Sequence, residues 1–304
     1  MKKKVLIISG GISKERLISL DTGNQVFKEL KKNGYRVKIS EPDNYLEKNI
    51  KIFKPNVIFN ALHGQFGEDG YIQTILDKFK IPYTHSSAIA SSIAMDKEIS
   101  KKLFIKNKIK TPKFFTYSYD ITKSNLIKKI NKNLRFPVVI KPLNEGSSVN
   151  VYISSKKTLD KILYKLKVYK KVLIEEFIGG REIQVAIMGD KKLGAIELKP
   201  KRKFYDYQAK YDSKSKTQHI IPVDLPKSKF NKVMDIAYKA HKIIGCRGVT
   251  RSDFKFFNGN FYLLELNTQP GMTKLSLVPE IALYRGISFL KLIEWMLKDA
   301  SKKK

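Results

Sequence analysis

The sequence contains a single cysteine, few acidic side chains and no long apolar run. Cys246 is the only cysteine, so the chain cannot form an internal disulfide, and a reducing cytoplasm is the location we expect. No apolar run approaches the ~18 residues that a membrane-spanning helix needs, so we expect no membrane partner. The N-terminal run in MKKKVLIISGG is too short for the core of a signal peptide and predicts a buried strand instead.

Acidic residues are scarce relative to basic ones. The chain has 60 Lys and Arg against 28 Asp and Glu, which gives a formal net charge of +32. Such an excess is typical of nucleic-acid-binding proteins, and that alternative stays open as a second class of function. The lysines, however, are spread over most of the chain, without an aromatic-interleaved basic stripe or zinc-finger spacing. We therefore expect no nucleic-acid partner.

Alternating strand and helix patterns divide the chain into three predicted units. Residues 1–95 carry the strand patterns KKVLIISG, YRVKIS and PNVIFNAL with helices between them, which predicts an α/β unit with a parallel sheet. Residues 96–180 indicate α+β structure, with a hairpin around the loop NEGSSVN. Residues 181–304 add further strands, a helix and a long polar, aromatic segment at 203–219, a length typical of functional or disordered loops. The first helix has an apparent apolar stripe made of Leu17, Leu20, Phe27 and Leu30.

The segment GVTRSDFKFF-NGN-FYLLELN predicts an antiparallel hairpin. With residues 258–260 as the loop, the register pairs Phe257 with Phe261, Asp253 with Glu265 and Arg251 with Asn267. Facing carboxylates repel each other unless a cation lies between them, and oxygen ligands suit Mg²⁺. Two alternatives remain: a two-residue loop would put Asp253 and Glu265 on opposite faces, and a solvated strand face would need no metal.

Two further segments have the composition of nucleotide sites. Lys141 ends the apolar strand VVIKPL and precedes a Gly-Ser-Ser loop that offers N–H groups and hydroxyls to phosphate. The segment lacks the Walker A spacing, and an ordinary hairpin turn remains the alternative. Glu175, Glu176 and Glu182 flank a Gly-Gly turn, where they could accept from a ribose or an adenine or lie on the surface. His63 lies in the Gly-rich loop LHGQFGED.

Taken in order, these motifs resemble those of the ATP-grasp superfamily and, within it, the D-alanine–D-alanine ligase family. The similarity is carried by GGISKERLISL, LHGQFGEDG, MDK, IKPLNEGSSV, IEEFIGGRE, FYDYQAKY, TRSDF, LELNTQPGMTKLSLVP and YRGISF. It implies an ATP-grasp fold with an N-terminal Rossmann-like (pre-ATP-grasp) parallel-sheet domain at 1–95 and ATP-grasp subdomains at 96–180 and 181–304. It also implies ATP-dependent ligation of two D-alanines through a D-alanyl phosphate for peptidoglycan synthesis, two Mg²⁺ ions with Mn²⁺ as a substitute, and a homodimer.

The resemblance assigns roles residue by residue. Asp253, Glu265 and Asn267 would hold the two metal ions. ATP would be contacted by Lys97, Lys141, Glu175, Glu182 and, from a closing lid, Lys210. The first D-alanine would meet Glu15 and His63, and the second Ser276 and Leu277. Arg251 and the backbone around Gly271 would stabilise the oxyanion, and Ser147 and Tyr211 would form a hydrogen-bonded link with Glu15.

Three positions bear on how closely the family pattern holds. Asn150 stands where the family usually has glycine, and SGG replaces the usual MGG. Tyr211 occupies the place where ester-forming relatives typically carry a histidine. A neutral phenol does not repel the ammonium of an amino acid, so we expect D-alanine rather than D-lactate as the acceptor. A ligase that uses D-lactate or D-serine stays the alternative.

Overall fold

The structure is a computed structural model that describes residues 3–199, 217–274 and 276–301. Its described strands form one parallel and two antiparallel sheets, with helices packed against them. This confirms the predicted mixture of α/β and α+β structure. The strands of each sheet fall within one of the ranges 1–95, 96–180 and 181–304, and the domain boundaries themselves stay a prediction.

The first sheet is parallel and has the strand order β2-β1-β3. Its central strand, β1, is an apolar run that is almost wholly buried. Next to β3, an isolated parallel bridge joins Ile58 to Tyr83 in the segment IPYTHSS. The elements of this part of the chain are β1 (Lys4–Ile8), β2 (Arg36–Ser40), β3 (Val57–Asn60) and helices at Arg16–Lys32, Leu46–Phe53, Tyr71–Lys78 and Ala88–Met95.

The apolar stripe predicted for the first helix is wrong at its start. Leu17 is 79% exposed, whereas the buried face consists of Ser19, Thr22, Gly23, Val26 and Leu30. Gly23 lies so close to the C-terminal end of strand β1 that an added Cβ would come within 2.6 Å of the side chain of Ser9, the residue that follows the strand. Small side chains therefore let the helix pack tightly on the sheet, and hydrophobicity alone did not identify this face.

The second sheet is antiparallel, in the order β4-β7-β5-β6. Strands β5 and β6 pair around the Gly-Ser loop, which confirms the predicted hairpin. Asp96 caps the helix that leads into this sheet, since its carboxylate accepts from the N–H groups of Glu98 and Ile99. The elements are β4 (Phe114–Tyr117), β5 (Val138–Pro142), β6 (Tyr152–Ser154), β7 (Val172–Glu176), helices at Lys97–Lys106, Lys123–Asn133 and Leu159–Leu166, and a short 3₁₀ helix at Lys167–Tyr169.

The third sheet is antiparallel, in the order β10-β9-β8-β11-β12. One of its faces packs against the helix at Lys227–Ile244, and the other contacts the helix at Leu277–Tyr284. The elements are β8 (Arg181–Met188), β9 (Lys191–Lys199), β10 (Gln218–Ile220), β11 (Val249–Phe257), β12 (Asn260–Asn267) and helices at Lys227–Ile244, Leu277–Tyr284 and Phe289–Ala300.

The β11–β12 hairpin differs from the predicted register at its turn and agrees with it at its base. Phe257 pairs with Asn260, so the loop has two residues, and the pairing of Phe257 with Phe261 is wrong. Asn258 and Gly259 both have positive φ, at 47° and 71°, which suits a type I′ hairpin turn. A bulge at Leu264 then shifts the register by one residue. The predicted pairs Asp253 with Glu265 and Arg251 with Asn267 are thereby confirmed.

Membrane-spanning helices were sought among the described residues. None of the helices in 3–199, 217–274 and 276–301 is long and apolar enough to cross a bilayer.

Candidate active site

A cleft lies between the second and third sheets. Strands β5 and β7 and the Gly-Ser loop supply one side, and strands β8, β11 and β12 supply the other. Its lining brings together many of the residues singled out by sequence: Lys97, Lys141, Glu175, Glu182, Asp253 and Glu265. Because these residues are spread over 169 positions of the chain from Lys97 to Glu265, their convergence is a property of the fold.

Buried charged residues lie on the first side of the cleft and directly behind it, and we call Lys97, Lys101, Lys141 and Glu175 the cation wall. Lys141 Nζ lies 2.5 Å from Glu175 Oε1, and Lys101 Nζ lies 2.8 Å from Glu175 Oε2. Burial alone would raise the pKa of Glu175, but the two lysines lower it below its usual value. Burial lowers the pKa of Lys101 to about 8, against the opposing effect of Glu175. One carboxylate thus bridges two ammonium groups.

Lys97 lies at the start of its helix, one turn before Lys101, and reaches into the same cleft. Its Nζ donates to the backbone oxygen of Glu145 at 2.6 Å and lies 3.8 Å from Glu265 Oε2. Burial lowers the pKa of Lys97, while Glu265 opposes that shift. Lys97 therefore connects the cation wall to the opposite side of the cleft.

Glu182 is buried at the beginning of β8. Its Oε2 accepts from Lys255 Nζ at 2.9 Å, and its Oε1 accepts from Gln184 Nε2 at 3.3 Å. Sequence reasoning missed Lys255, because a lysine in a strand of this lysine-rich chain resembles any surface lysine. The β8–β11 register is what places Lys255 directly opposite Glu182.

The second side of the cleft is the hairpin, and we call Arg251, Asp253, Glu265 and Asn267 the hairpin wall. Arg251 binds Asp253 in a bidentate manner, with Nε 2.8 Å from Oδ1 and Nη2 3.0 Å from Oδ2. Arg251 Nε also contacts Gln184 Oε1 at 3.0 Å, and Asn267 Oδ1 accepts from the Gln269 N–H at 2.7 Å. Asp253 is buried, whereas Glu265 remains 28% exposed at the cleft.

The hairpin wall has the donor set of a hard divalent cation. Two carboxylates face each other across the strand pair, and an amide oxygen lies two residues beyond Glu265. Within 3–199, 217–274 and 276–301, no three His, Cys, Asp or Glu residues cluster as a ready-made metal site. Two carboxylates and an amide that leave coordination positions open suit Mg²⁺ held together with substrate phosphates.

Glu15 lies at the beginning of the first helix and is buried against the Gly-Ser loop. Ser147 donates a hydrogen bond to Glu15 Oε1. Two glycines approach the same carboxylate so closely that an added Cβ would lie 2.7 Å from Oε2 at Gly64 and 2.9 Å from it at Gly146. The predicted link between Ser147 and Glu15 is therefore present, and it joins the first and second units.

His63 lies near Glu15, with both ring nitrogens engaged. Its Nδ1 lies 3.0 Å from Glu68 Oε1, and its Nε2 lies 3.1 Å from Thr22 Oγ1. Ser13 Oγ donates to the backbone oxygen of His63 at 2.6 Å, which ties the loop to the start of the first helix. Glu68 lies five residues after His63 in the same Gly-rich loop, and no role was predicted for it. Thr22 carried no signal in the sequence, because it lies 41 positions from His63.

The turn after β12 brings Gly271 and Ser276 together. Ser276 Oγ accepts from the Thr273 N–H at 3.1 Å and lies 2.8 Å from Thr273 Oγ1. A Cβ at Gly271 would come within 2.9 Å of Ser276 Oγ. Leu277 begins the following helix and packs against the core.

Lys210, Tyr211 and most of the predicted lid at 203–219 lie outside the described residues.

The departure at Asn150 has a structural explanation. Asn150 has φ 56°, a left-handed conformation that glycine adopts freely and asparagine tolerates. Its side chain is used: Nδ2 donates to the Tyr169 hydroxyl at 2.7 Å, and Oδ1 accepts from the Tyr152 hydroxyl at 3.2 Å. The Tyr169 hydroxyl in turn donates to Glu145 Oε1 at 2.8 Å. Asn150 therefore ties the Gly-Ser loop to its surroundings.

The chain is similar to known proteins over nearly its whole length. The family model described as "D-ala D-ala ligase C-terminus" matches residues 103–298. A D-alanine–D-alanine ligase of Pelagibacter ubique is 73% identical, with 99% of each chain covered. One from Zymomonas mobilis is 43% identical, with 98% of this chain and 94% of the relative covered. The solved structure of the Bacillus anthracis enzyme complexed with ATP superposes with a TM-score of 0.84 at 29% identity, covering 98% of this chain and 97% of that one.

Proposed function

The chain belongs to the D-alanine–D-alanine ligase family, and we propose that its cleft binds ATP and divalent cations while two D-alanine molecules are joined beside it. The chain is an ATP-grasp enzyme of the ligase class, as its relatives and structural neighbours indicate. Its reaction is the ATP-dependent ligation of D-alanine for cell-wall synthesis. The observation that carries the assignment to this cleft is the opposition of the cation wall and the hairpin wall.

We assign the nucleotide to the space between the two walls. Lys97 and Lys141 would contact its phosphates, Glu175 and Glu182 its adenosine, and Lys210 would reach it from the lid. The polyanionic phosphates complement buried ammonium groups, and Glu182 offers a carboxylate to a ribose hydroxyl. The relative from Bacillus anthracis was solved with ATP, which supports the choice of nucleotide.

Asp253, Glu265 and Asn267 would hold two Mg²⁺ ions, with Mn²⁺ as a substitute. Such ions supply Lewis-acid stabilisation of the negative charge that develops on the phosphoryl groups. The facing carboxylates of the hairpin support this assignment, because they present hard oxygen donors on one face of the strand pair, the kind of ligand that suits Mg²⁺.

The carboxylate of D-alanine is a poor electrophile, so the reaction must activate it before an amine can attack it. A carboxylate oxygen of the first D-alanine attacks the γ-phosphorus of ATP, and ADP leaves, which yields D-alanyl phosphate. The amine of the second D-alanine then attacks the acyl carbon, loses a proton and displaces phosphate to form the amide. Arg251 and the backbone near Gly271 would donate to the developing oxyanion.

The two D-alanine sites lie at the ends of this cleft in our assignment. Glu15 would pair with the ammonium of the first D-alanine, beside His63, and Ser147 holds the Glu15 carboxylate. Tyr211 would extend that link from the lid. Ser276 and Leu277 would hold the second D-alanine at the N-terminal end of their helix. Closure of the lid at 203–219 would keep water from the acyl phosphate.

We further propose that the enzyme acts in the cytoplasm as a homodimer, with residues 1–95 as a substrate-binding domain. Residues 96–180 and 181–304 would form the ATP-grasp subdomains, and the cleft between their sheets supports that division. Size-exclusion chromatography with light scattering measures the oligomeric state, and a monomeric mass would contradict the dimer.

The deciding experiment is a coupled assay of ADP formation with ATP, Mg²⁺ and D-alanine. We expect turnover with D-alanine and none with L-alanine or without an amino acid. ADP formation that is independent of D-alanine would contradict the proposed function. Competition between D-alanine and D-lactate as the acceptor, with products separated by chromatography, tests the ester-forming alternative. We expect dipeptide near pH 7.5 because Tyr211 is neutral there.

A further inference from the structure

We propose that Lys101 is a positioning residue for the nucleotide phosphates, acting through the Glu175 carboxylate on Lys141. Lys101, Glu175 and Lys141 form a group of three side chains. Because Lys101 pairs with one oxygen of Glu175, this group keeps a net positive charge that faces the cleft. The proposal rests on the function assigned above, since it concerns ATP in the same site. No sequence motif pointed to Lys101.

The geometry separates Lys101 from the residues that reach substrate. Its side chain is fully buried, and Lys101 does not line the cleft, whereas Lys141 and Glu175 do. Lys101 Nζ lies 2.8 Å from Glu175 Oε2 and donates to Thr111 Oγ1, and it lies 5.5 Å from the Phe114 ring centroid. Lys101 can therefore affect the nucleotide only indirectly, through Glu175 or through the electrostatic effect of its own ammonium charge.

The charge balance explains the need for a second lysine. Lys101 and Lys141 contribute two positive charges and Glu175 one negative charge, so the group carries a net charge of +1. With an apolar residue in place of Lys101, Glu175 would neutralise Lys141, and the net charge would be zero. Because water screens a buried site poorly, this difference bears strongly on a polyphosphate in the adjacent cleft.

Stability alone does not account for a buried lysine at this position. Taking an ammonium group out of water is costly, and replacing buried ion pairs by apolar side chains is often neutral or stabilising. Burial lowers the pKa of Lys101 to about 8, which reflects this cost. Lys101 is thus a buried charge whose desolvation Glu175 offsets only in part, directly behind the lysine that we assign to phosphate.

The test is the kinetics of Lys101→Met beside a matched control. We expect the KM for ATP to rise about tenfold, which corresponds to about 1.4 kcal/mol, while kcat at saturating ATP and the KM for D-alanine stay near wild type. Lys102→Met removes the neighbouring, exposed lysine and should change none of the three. A purely structural role for Lys101 would lower the active fraction and hence kcat, without raising the KM for ATP.

A second neutral variant and a pH series make the test decisive. Lys101→Gln also removes the charge and replaces Lys101→Met if that variant does not fold. The groups that face Lys101 are Glu175, Lys141, Glu265, the Thr111 hydroxyl and the Phe114 ring. Because burial lowers the pKa of Lys101 to about 8, the ratio of mutant to wild-type KM for ATP should fall toward one as the pH rises through that value. An unchanged KM at pH 7, or a constant ratio, would overturn the proposal.

Failure of the proposed function is distinguishable from failure of this inference. If the wild-type enzyme forms no ADP with D-alanine, the function is wrong. Calorimetric binding of ATP and Mg²⁺ without D-alanine then still compares Lys101→Met with wild type. Weaker ATP binding by the variant supports the inference, and equal binding overturns it.

Discussion

The two walls of the cleft handle charge in different ways. On the cation wall, Glu175 is shared by Lys101 and Lys141, and all three side chains are buried. On the hairpin wall, Asp253 is satisfied by Arg251, while Glu265 faces it from the next strand and remains 28% exposed. One wall therefore carries surplus positive charge within the protein. The other places two carboxylates opposite each other, the arrangement to which we assign the divalent cations.

The difference shows how one cleft can accommodate a metal–nucleotide complex. In the proposed function, the phosphates would lie toward the lysines and the divalent cations toward the carboxylates. Lys97 spans the two walls, because its Nζ lies 3.8 Å from Glu265 Oε2. Substitutions on each wall should therefore have different signatures, in metal dependence on one side and in ATP affinity on the other.

The largest effect is expected on the hairpin wall. Asp253→Asn or Glu265→Gln should lower kcat at least about 100-fold, because charge stabilisation by a metal ion is worth several kcal/mol. The measurement is ATP turnover as a function of Mg²⁺ concentration. Asp160→Asn, on an exposed salt bridge with Lys123, is the control and should behave as wild type. Unchanged Mg²⁺ dependence in both hairpin variants would remove the metal site from this wall.

A somewhat smaller effect is expected on the cation wall. Lys141→Met leaves Glu175 paired with Lys101 and should raise the KM for ATP about 10- to 100-fold, since a hydrogen bond to a charged group contributes about 1.5–3 kcal/mol. The Mg²⁺ concentration for half-maximal rate at saturating ATP should change little. If Lys141→Met instead altered Mg²⁺ dependence as strongly as Glu265→Gln, the contrast between the walls would not hold.

A few-fold effect on the KM for the first D-alanine is expected at Gly146 in the Gly-Ser loop. A Cβ at Gly146 would lie 2.9 Å from Glu15 Oε2, and the carboxylate can move away at little cost in stability. Gly146→Ala should therefore raise the KM for the first D-alanine about threefold to tenfold, in line with a displaced charged contact. The KM for ATP and the melting temperature should stay near wild type. Steady-state kinetics and thermal unfolding measure these quantities, and a rise confined to the KM for ATP would contradict the placement of Glu15.

The smallest effect is expected at Asn150 in the same loop. Asn150→Gly relieves the left-handed backbone at φ 56° but loses the contacts with Tyr169 and Tyr152. Because the relief of strain opposes the lost hydrogen bonds and the greater freedom of glycine when unfolded, the free energy of unfolding should change by no more than about 1 kcal/mol. Denaturant titration measures it, and a destabilisation several times larger would mean that Asn150 anchors more than this loop.

The hairpin illustrates how far sequence reasoning reached. The alternation in FYLLELN predicted that Glu265 and Asn267 share a face, and the pairing with Asp253 and Arg251 is confirmed. The predicted hairpin loop, residues 258–260, is one residue longer than the observed loop. The Asn-Gly turn is a two-residue turn, and the bulge at Leu264 restores the pairing. A bulge leaves no clear mark in a run of apolar residues, because it depends on how the whole sheet twists.

The first helix shows the opposite outcome. Its apolar residues indicated one buried face, but Leu17 is exposed, and Ser19, Thr22 and Gly23 are buried. Contact between the helix and strand β1 required small residues, a demand that hydrophobic periodicity does not register. The roles assigned to individual site residues remain predictions, since they concern substrates and metal ions.

The sequence by itself determined the alternation of strands and helices, the hairpins and the ordered motifs, because these depend on residues close together in the chain. Only the tertiary structure decided which charges meet. Lys101 and Lys255 are ordinary in sequence, yet they contact Glu175 and Glu182 across strand and helix packing. The energy of a buried charge depends on the partners that the fold brings within hydrogen-bonding distance, and a linear pattern does not specify those partners.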